Sequence, residues 1–233
     1  MPRSLYYCQD PNPQIGRHFG VKPYNRDWTA FHSLERKINL KEDLRWHEVS
    51  DLQKIISGAD MWTDFPARGL TLVVAEARSG DKNQRMDFLY LRNDGGLLPA
   101  ELKIGGNAKD SVGQLLRYIA DLHFQKIDSD YLLAKRKQLI DRMSNEISRS
   151  ISEGKFEKFV EDHNLDERFF RLLPRHGLLI DEGFPTQLHK AVRFMNDECG
   201  FSIQLIQIEA FVDADWTPDS DDFIMRLDFT PIT

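Results

Sequence analysis

Three short apolar runs between residues 70 and 104 are separated by turn signals, and this pattern constrains the fold more than any other feature. The runs are Leu70–Ala77, Arg85–Leu91 and Leu97–Ile104, and the first of them is rich in β-branched residues. Asn93-Asp94-Gly95-Gly96 joins the last two, and such a sequence is typical of a tight β-hairpin turn. The chain is therefore predicted to contain an antiparallel β-meander here.

Helical and extended patterns alternate in the rest of the chain. Apolar residues that recur at three- and four-residue steps predict helices at 33–57, 109–124 and 186–198. Apolar runs and period-two alternation predict strands at 177–180, at 201–211 and, as a last edge strand, at 222–230. We therefore expect an α/β fold in which helices flank a mixed β-sheet.

Composition divides the chain into four segments. Residues 1–32 are rich in Pro, Gly and aromatics and are predicted to form an irregular N-terminal arm. Residues 33–128 hold the predicted core, and 129–175 form a polar, strongly helix-forming insertion. Residues 176–233 are expected to close the same domain and contain an acidic C-terminal stretch.

The overall composition excludes several classes of protein. A net charge of -6 argues against a protein that coats nucleic acid by bulk charge. The two cysteines, Cys8 and Cys199, are too few for a disulfide framework or a four-cysteine zinc site, which favours a reducing cytoplasm. No apolar run approaches the roughly 18 residues of a membrane span, and the N-terminus lacks a signal-peptide pattern.

Asp87, Glu101 and Lys103 are the candidate catalytic residues. Residues two apart in a strand share a face, so Glu101 and Lys103 point the same way. Pairing across the hairpin turn would bring Asp87 alongside them. Carboxylates bind hard cations such as Mg²⁺, to which the Leu102 carbonyl could add an oxygen, and a lysine can stabilise charge that develops on a phosphate. Phosphodiester hydrolysis can use such a group of residues.

The spacing of these residues resembles the D…(D/E)-x-K signature of the PD-(D/E)XK nuclease superfamily. Gln114 and Tyr118 are similar to the Q-x-x-x-Y motif of its RecB-like branch. The amino-acid sequence of residues 85–122 as a whole is most similar to NucS-type nuclease domains. The resemblance covers roughly residues 48–122 and departs from the usual pattern at Met86, where proline is common. It implies a restriction-endonuclease-like core and a Mg²⁺- or Mn²⁺-dependent nuclease, with DNA as the expected substrate.

The resemblance also implies roles for individual side chains. Asp87 and Glu101 would be metal ligands and Lys103 the catalytic lysine, with Gln114 and Tyr118 in support. In this superfamily an acidic residue on the first helix commonly completes the metal site, and Glu48 is the candidate. Its rivals are Glu35, Glu42, Asp51 and Glu76.

Other interpretations of the same residues remain open. Asp87, Glu101 and Lys103 could be an ordinary ion pair on a solvated strand face. The chain could also be a catalytically inactive protein of the same fold that binds nucleic acid or a protein partner, with its cleft plugged by the arm or an acidic segment. Gly105-Gly106-Asn107 suits a tight strand-to-helix turn better than a phosphate cradle. A homodimer is plausible because two symmetric cuts need two sites.

The charge is unevenly distributed along the chain. Residues 1–160 contain 25 basic and 22 acidic side chains, whereas residues 161–233 contain 6 and 15. The predicted core is therefore mildly basic, which is compatible with a nucleic-acid substrate. The acidic C-terminal segment lies either away from the cleft or across it.

Overall fold

A computed structural model of the chain describes the following residues: 3–9, 19–22, 35–45, 52–53, 56, 70–79, 84–92, 96–106, 110–124, 134, 171–172, 175–215, 217 and 223–232. Within them, ten strands form one sheet. The strands are β1 (Arg3–Gln9), β2 (Phe19–Lys22), β3 (Glu35–Ile38), β4 (Leu70–Ser79), β5 (Gln84–Arg92), β6 (Gly96–Leu102), β7 (Arg171–Leu172), β8 (His176–Asp181), β9 (Ser202–Asp213) and β10 (Phe223–Pro231). The two continuous helices are α1 (Ser111–Phe124) and α2 (Thr186–Glu198).

The sheet has a parallel centre and antiparallel flanks. Its strand order is β2-β1-β10-β9-β8-β6-β5-β4, with β3 added to β9 and β7 to β6. The neighbours β6, β8 and β9 run parallel, and α1 and α2 lie in the connections between them. A parallel pair needs such a crossover, because a hairpin can join only antiparallel strands. The α/β class with a mixed sheet is thus confirmed.

Each face of the sheet covers its own apolar core. One core includes Phe88, Ala100, Leu102 and Ile180, together with Leu52 and Ile56 from a helical segment. On the other face, Leu115 and Ile119 of α1 and Leu188 and Val192 of α2 pack on Leu179, Ile203 and Leu205. Because strand side chains alternate between faces, Asp87, next to Phe88, and Glu101, between Ala100 and Leu102, lie on the helix-covered face.

Six of the elements predicted by periodicity and turn signals are confirmed: the three strands of the meander, two later strands and helix α2, with α1 only slightly shifted. The meander is β4, β5 and β6 with antiparallel pairing throughout. The predicted strand at 177–180 is β8, and the strand at 201–211 is β9. Helix α2 spans the predicted residues, and α1 begins two residues later than predicted. The predicted insertion lies outside the described residues, apart from the helical Ala134 and the short strand β7.

Three predictions of local structure were wrong. Residues 3–9 and 19–22 of the predicted irregular arm are strands, and β1 pairs with β10 over seven residues. Residues 35–38, predicted to be helical, form β3 on β9, and among the described residues of that segment 52, 53 and 56 are helical. Strand β10 lies between β1 and β9 and is not an edge strand. In each case the strand is completed by a partner far away in sequence, which local pattern does not report.

No helix in the described part of the chain is long and apolar enough to cross a membrane.

Tyr90 gives the first testable prediction, because its hydroxyl is a polar group in an apolar core. Its side chain is fully buried beside Phe88, and its oxygen has no hydrogen-bond partner among the described residues. Burial raises its pKa well above the usual value near 10. A buried polar group without a partner is costly, so Tyr90→Phe is expected to leave the free energy of unfolding at pH 7.5 unchanged or to raise it by about 1 kcal/mol.

The same variant has a signed pH dependence. Above pH 10 the unfolded chain releases the Tyr90 proton while the folded state keeps it, so this group lowers the stability of the wild type as pH rises. Urea unfolding at pH 7.5, 10 and 11 should therefore show that the free energy of unfolding of the variant, relative to that of the wild type, increases as the pH rises. A large loss of stability at neutral pH would show that the hydroxyl is satisfied in solution.

Candidate functional site

The strands β5 and β6 part at the residues predicted to carry the chemistry. Their antiparallel register ends at the pair Phe88 and Ala100. Continued by one residue, it sets Asp87 opposite Glu101. Instead of a ladder bond, the Leu102 N–H donates to Oδ2 of Asp87 at 2.8 Å. The Asp87 side chain therefore takes the place of a backbone acceptor and holds the two strand ends at a fixed separation.

Other groups satisfy the backbone where the ladder ends. The Gln53 side-chain amide donates to the carbonyl of Asp87 at 2.9 Å, and Gln53 is buried between the helical segment and the sheet. On the other strand, the Lys103 N–H donates to the carbonyl of Ile180 on β8 at 2.8 Å. Buried backbone groups are almost always paired, so these two bonds stabilise the point at which β5 and β6 separate. Gln53 was missed from sequence, where its only signal is an amide beside Leu52 in a helical stripe.

Glu101 and Lys103 form an ion pair that runs from the interior to the surface. The Lys103 Nζ lies 2.6 Å from Oε1 of Glu101, and the two side chains are 18% and 1% exposed. The prediction that they share a strand face is thus confirmed. A carboxylate this buried needs a charged partner or hydrogen bonds to remain ionised. Because Glu101 is buried, the interpretation of Glu101 and Lys103 as an ordinary ion pair on a solvated strand face does not fit.

Tyr118 of α1 connects both carboxylates. Its side chain is buried and its hydroxyl donates a hydrogen bond to Glu101. Burial raises the pKa of Tyr118 most, the negative charges of Glu101 and Asp87 raise it further, and only Arg117 opposes them. The hydroxyl therefore stays protonated at neutral pH. That both carboxylates act on one hydroxyl shows that Asp87, Glu101 and Tyr118 converge.

The remaining predicted residues are placed to different degrees. Gln114 lies one turn before Tyr118 on α1 and is half-buried. Leu102, which lies between Glu101 and Lys103 in sequence, is the last residue of β6 and is buried in the core of the opposite face. Glu48 lies outside the described residues. The structure thus brings together Asp87, Glu101, Lys103 and Tyr118.

Backbone register distinguishes among the rivals to Glu48. On β4, Ala75 pairs with Phe88 and Ala77 with Met86, so Glu76 lies between these pairs and across from Asp87. Glu76, Asp87 and Glu101 therefore occupy one row across three strands. Glu35 pairs with Asp213 on β9, and Glu42 is an exposed residue of a turn. Asp51 lies outside the described residues.

The turn after Lys103 is held by carboxylates. The N–H of Gly105 donates to Oε2 of Glu182 at 2.8 Å, and the N–H of Gly106 donates to Oδ1 of Asp181 at 3.1 Å. Both glycines have positive φ values, 77° and 69°. These two N–H groups already bind anionic oxygens, which favours the tight-turn interpretation over a phosphate cradle.

The donor atoms suit a hard divalent cation. Asp87 and Glu101 supply carboxylate oxygens, the ligand type that Mg²⁺ and Mn²⁺ prefer. Within the described ranges, no three His, Cys, Asp or Glu side chains are arranged to hold a metal ion. Two carboxylates remain compatible with Mg²⁺, because that ion keeps several waters and commonly uses one or two protein carboxylates.

Parts of the acidic C-terminal segment are neutralised locally. Glu209 on β9 pairs with Lys37 on β3, and Asp228 on β10 lies 3.2 Å from Arg226. Arg226 also stacks over the ring of Phe211. The described strands of the N-terminal segment, β1 and β2, lie beyond β10, with β8, β9 and β10 between them and β6. The described parts of both segments are therefore engaged elsewhere in the sheet.

Comparison with known proteins gives one distant similarity. No protein-family profile matches the chain, and no solved structure matches it. A rice protein described as ABC transporter G family member 51 (Oryza sativa subsp. japonica) is 25% identical over 178 residues, which is 73% of this chain. The chain spans only 12% of the length of that relative.

Proposed function

We propose that this protein is a metal-dependent nuclease of the PD-(D/E)XK type that hydrolyses phosphodiester bonds in DNA. One observation carries the proposal: Asp87, Glu101, Lys103 and Tyr118 converge where β5 and β6 part, and Lys103 extends from the buried Glu101 towards solvent. A buried carboxylate, Glu101, with the half-buried Asp87 close to it is costly to maintain for stability alone. A raised tyrosine pKa beside two carboxylates and a lysine is a combination typical of active sites.

The order of the elements supports a restriction-endonuclease-like core. An antiparallel meander of three strands is followed by α1, and then by β8, which lies parallel to the last strand of the meander. This is the arrangement that the resemblance implies. The signature residues lie on the second and third strands of the meander, and Gln114 and Tyr118 lie on the helix that follows.

Asp87 and Glu101 would hold the metal ion, Mg²⁺ or Mn²⁺. The Leu102 carbonyl, Glu48 and Glu76 are the candidates for further ligands, and Glu76 has the support of its register opposite Asp87. When bound, the ion supplies charge stabilisation on the phosphate and acidifies a water. Its positive charge would also relieve the repulsion between the two carboxylates.

Lys103 and Tyr118 would do the positional and electrostatic work. The ammonium of Lys103 is paired with Glu101, and its side chain is 18% exposed, so it would orient a water and stabilise negative charge on the phosphate. Tyr118 donates to Glu101 and so fixes the carboxylate from the side of α1. Arg117, exposed and near Tyr118, is positioned to contact a neighbouring phosphate.

A substrate panel tests the proposal directly. Purified protein is incubated with single-stranded, double-stranded and branched DNA, and with matched RNA, in Mg²⁺, Mn²⁺ or EDTA. We expect cleavage of DNA that requires the metal and is abolished by EDTA. Asp197→Asn, a change of an exposed aspartate on α2, is the matched control and should retain full activity. Cleavage that persists in EDTA, or cleavage of RNA alone, would contradict the proposal.

Metal binding is expected to depend on Asp87. Asp87→Asn keeps an oxygen that can accept the Leu102 N–H but removes the charge, so the fold should survive. The affinity for Mn²⁺, measured by calorimetry or electron paramagnetic resonance, should fall by about tenfold or more. The Asp197→Asn control should bind as the wild type does. Equal Mn²⁺ affinity in the two variants would remove Asp87 from the metal site.

A further inference from the structure

Asp181, the last residue of β8, lies beside the lysine of the proposed site. The parallel register pairs Leu102 with Ile180, and one further step sets Lys103 alongside Asp181. The backbone of Lys103 is bound directly to this strand, since its N–H donates to the Ile180 carbonyl. Asp181 is fully buried, although an aspartate is rarely placed in the interior without a specific role.

The carboxylate of Asp181 holds backbone in two directions. Its Oδ1 accepts the N–H of Gly106 at 3.1 Å and the N–H of Glu182 at 2.7 Å. The next side chain extends this arrangement, because Glu182 accepts the N–H of Gly105 at 2.8 Å and that of Leu40 at 2.6 Å. The carboxylates of Asp181, the last residue of β8, and of Glu182, which follows it, therefore bind both glycines of the turn after Lys103.

Those glycines make the turn dependent on such bonds. Gly105 and Gly106 adopt positive φ values and carry no side chain that could pack. Glycine also has the largest conformational freedom to lose on folding. Without acceptors for its two N–H groups, the turn would sample other conformations, and Lys103, two residues earlier, would lose a fixed backbone.

We infer that Asp181 is a positioning residue for Lys103, acting with Glu182 through the Gly105–Gly106 turn. Its oxygen is needed as an acceptor of backbone N–H groups, and its charge is not needed. The catalytic effect of this role rests on the proposed nuclease function. The clamp on the turn, by which we mean the hydrogen bonds from Gly105 and Gly106 to Glu182 and Asp181, does not depend on that function. Two other roles, a metal ligand or a charge partner of Lys103, require the negative charge and therefore predict a different result.

The comparison of Asp181→Asn with Asp181→Ala separates these roles. An asparagine oxygen can accept both N–H groups, whereas alanine can accept neither. Two quantities are measured for each variant: hydrogen exchange of the peptide that contains Gly105 and Gly106, and the kcat and KM of DNA cleavage. Asp197→Ala, on the exposed face of α2, is the matched control.

Asp181→Ala should exchange the turn amides about 10- to 100-fold faster than wild type, as expected when a charged acceptor is lost. We expect its kcat to fall by at least about tenfold and its KM to change little, because a misplaced lysine affects the reaction more than binding. Asp181→Asn should stay within about threefold of wild type in both measurements. If Asp181→Ala does not fold, Glu182→Gln decides. Glu182 accepts the N–H of Leu40 with Oε1 and that of Gly105 with Oε2, whereas glutamine has a single oxygen, so the bond to Gly105 is weakened and its exchange should rise.

Two results would overturn the inference. One is an Asp181→Asn variant as inactive as Asp181→Ala, which would show that the charge is required. The other is unchanged exchange of the turn amides in Asp181→Ala or, failing that, in Glu182→Gln. Exchange does not depend on cleavage, so a wild-type protein that leaves DNA intact would refute the nuclease proposal and still leave the clamp testable.

Discussion

Lys103→Ala is expected to lower kcat for Mg²⁺-dependent DNA cleavage by about 10²–10³-fold, the usual cost of removing one electrostatic stabiliser. The Lys103 ammonium lies 2.6 Å from a carboxylate oxygen of the buried Glu101, and the Lys103 side chain is 18% exposed. The change also leaves the buried Glu101 without this partner. We expect a loss of about 1–3 kcal/mol in the free energy of unfolding, below the value for a fully buried pair because Lys103 is 18% exposed.

Two comparisons make this result specific. Lys190→Ala removes a lysine from the exposed surface of α2 and should leave both kcat and stability unchanged. Lys103→Arg keeps the charge but changes its shape, and it should recover stability more than activity. The measurement is single-turnover cleavage together with urea unfolding. If Lys103→Ala cleaves DNA within threefold of wild type, with stability also unchanged, the lysine has no catalytic role.

Gly177→Ala is expected to destabilise the fold by about 1–3 kcal/mol through overpacking. A Cβ at Gly177 on β8 would lie 2.7 Å from a Cδ and 2.9 Å from the Cγ of Leu115, which is itself fully buried on α1. Either Leu115 changes its rotamer or α1 moves away from the sheet. Movement of α1 would draw Tyr118 away from Glu101, so activity should fall together with stability.

A second glycine gives a matched control of opposite sign. Gly113 lies on the exposed side of α1, and a Cβ there would meet no atom within 4 Å. Gly113→Ala should therefore stabilise the protein by about 0.5–1 kcal/mol through helix propensity. Leu115→Ala removes the atoms that clash, so the double variant Gly177→Ala/Leu115→Ala should be more stable than the sum of the single changes predicts. Strict additivity would show that the clash is relieved elsewhere.

The sequence predicted the meander because its signals are local. A turn sequence at 93–96 between two apolar runs specifies a hairpin, whichever residues lie further along the chain. The same locality explains the helices at 111–124 and 186–198. It also explains the failure at residues 35–38 and 3–9, where extended backbone is stabilised by β9 and β10, more than 170 residues later in the chain.

The shared face of Glu101 and Lys103 was likewise a local matter, since the strand period is two. Bringing Asp87 to them required the hairpin register, which the turn largely fixes. Sequence could not show that the ladder stops there, with the Asp87 carboxylate bound to the Leu102 N–H. Nor could it identify Gln53 and Asp181, because their partners are backbone groups of distant segments, and a backbone acceptor or donor leaves no trace in residue identity.

The sequence by itself thus determined the class of fold, the meander and the grouping of Asp87, Glu101 and Lys103, whose chemistry suits phosphodiester hydrolysis. Only the tertiary structure decided how far Glu101 is buried, that Tyr118 contacts it, and that β8 holds the turn after Lys103. The physical reason is the range of the interactions. Periodicity and turn geometry act over a few residues, whereas burial and backbone satisfaction depend on segments that meet only when the sheet is complete.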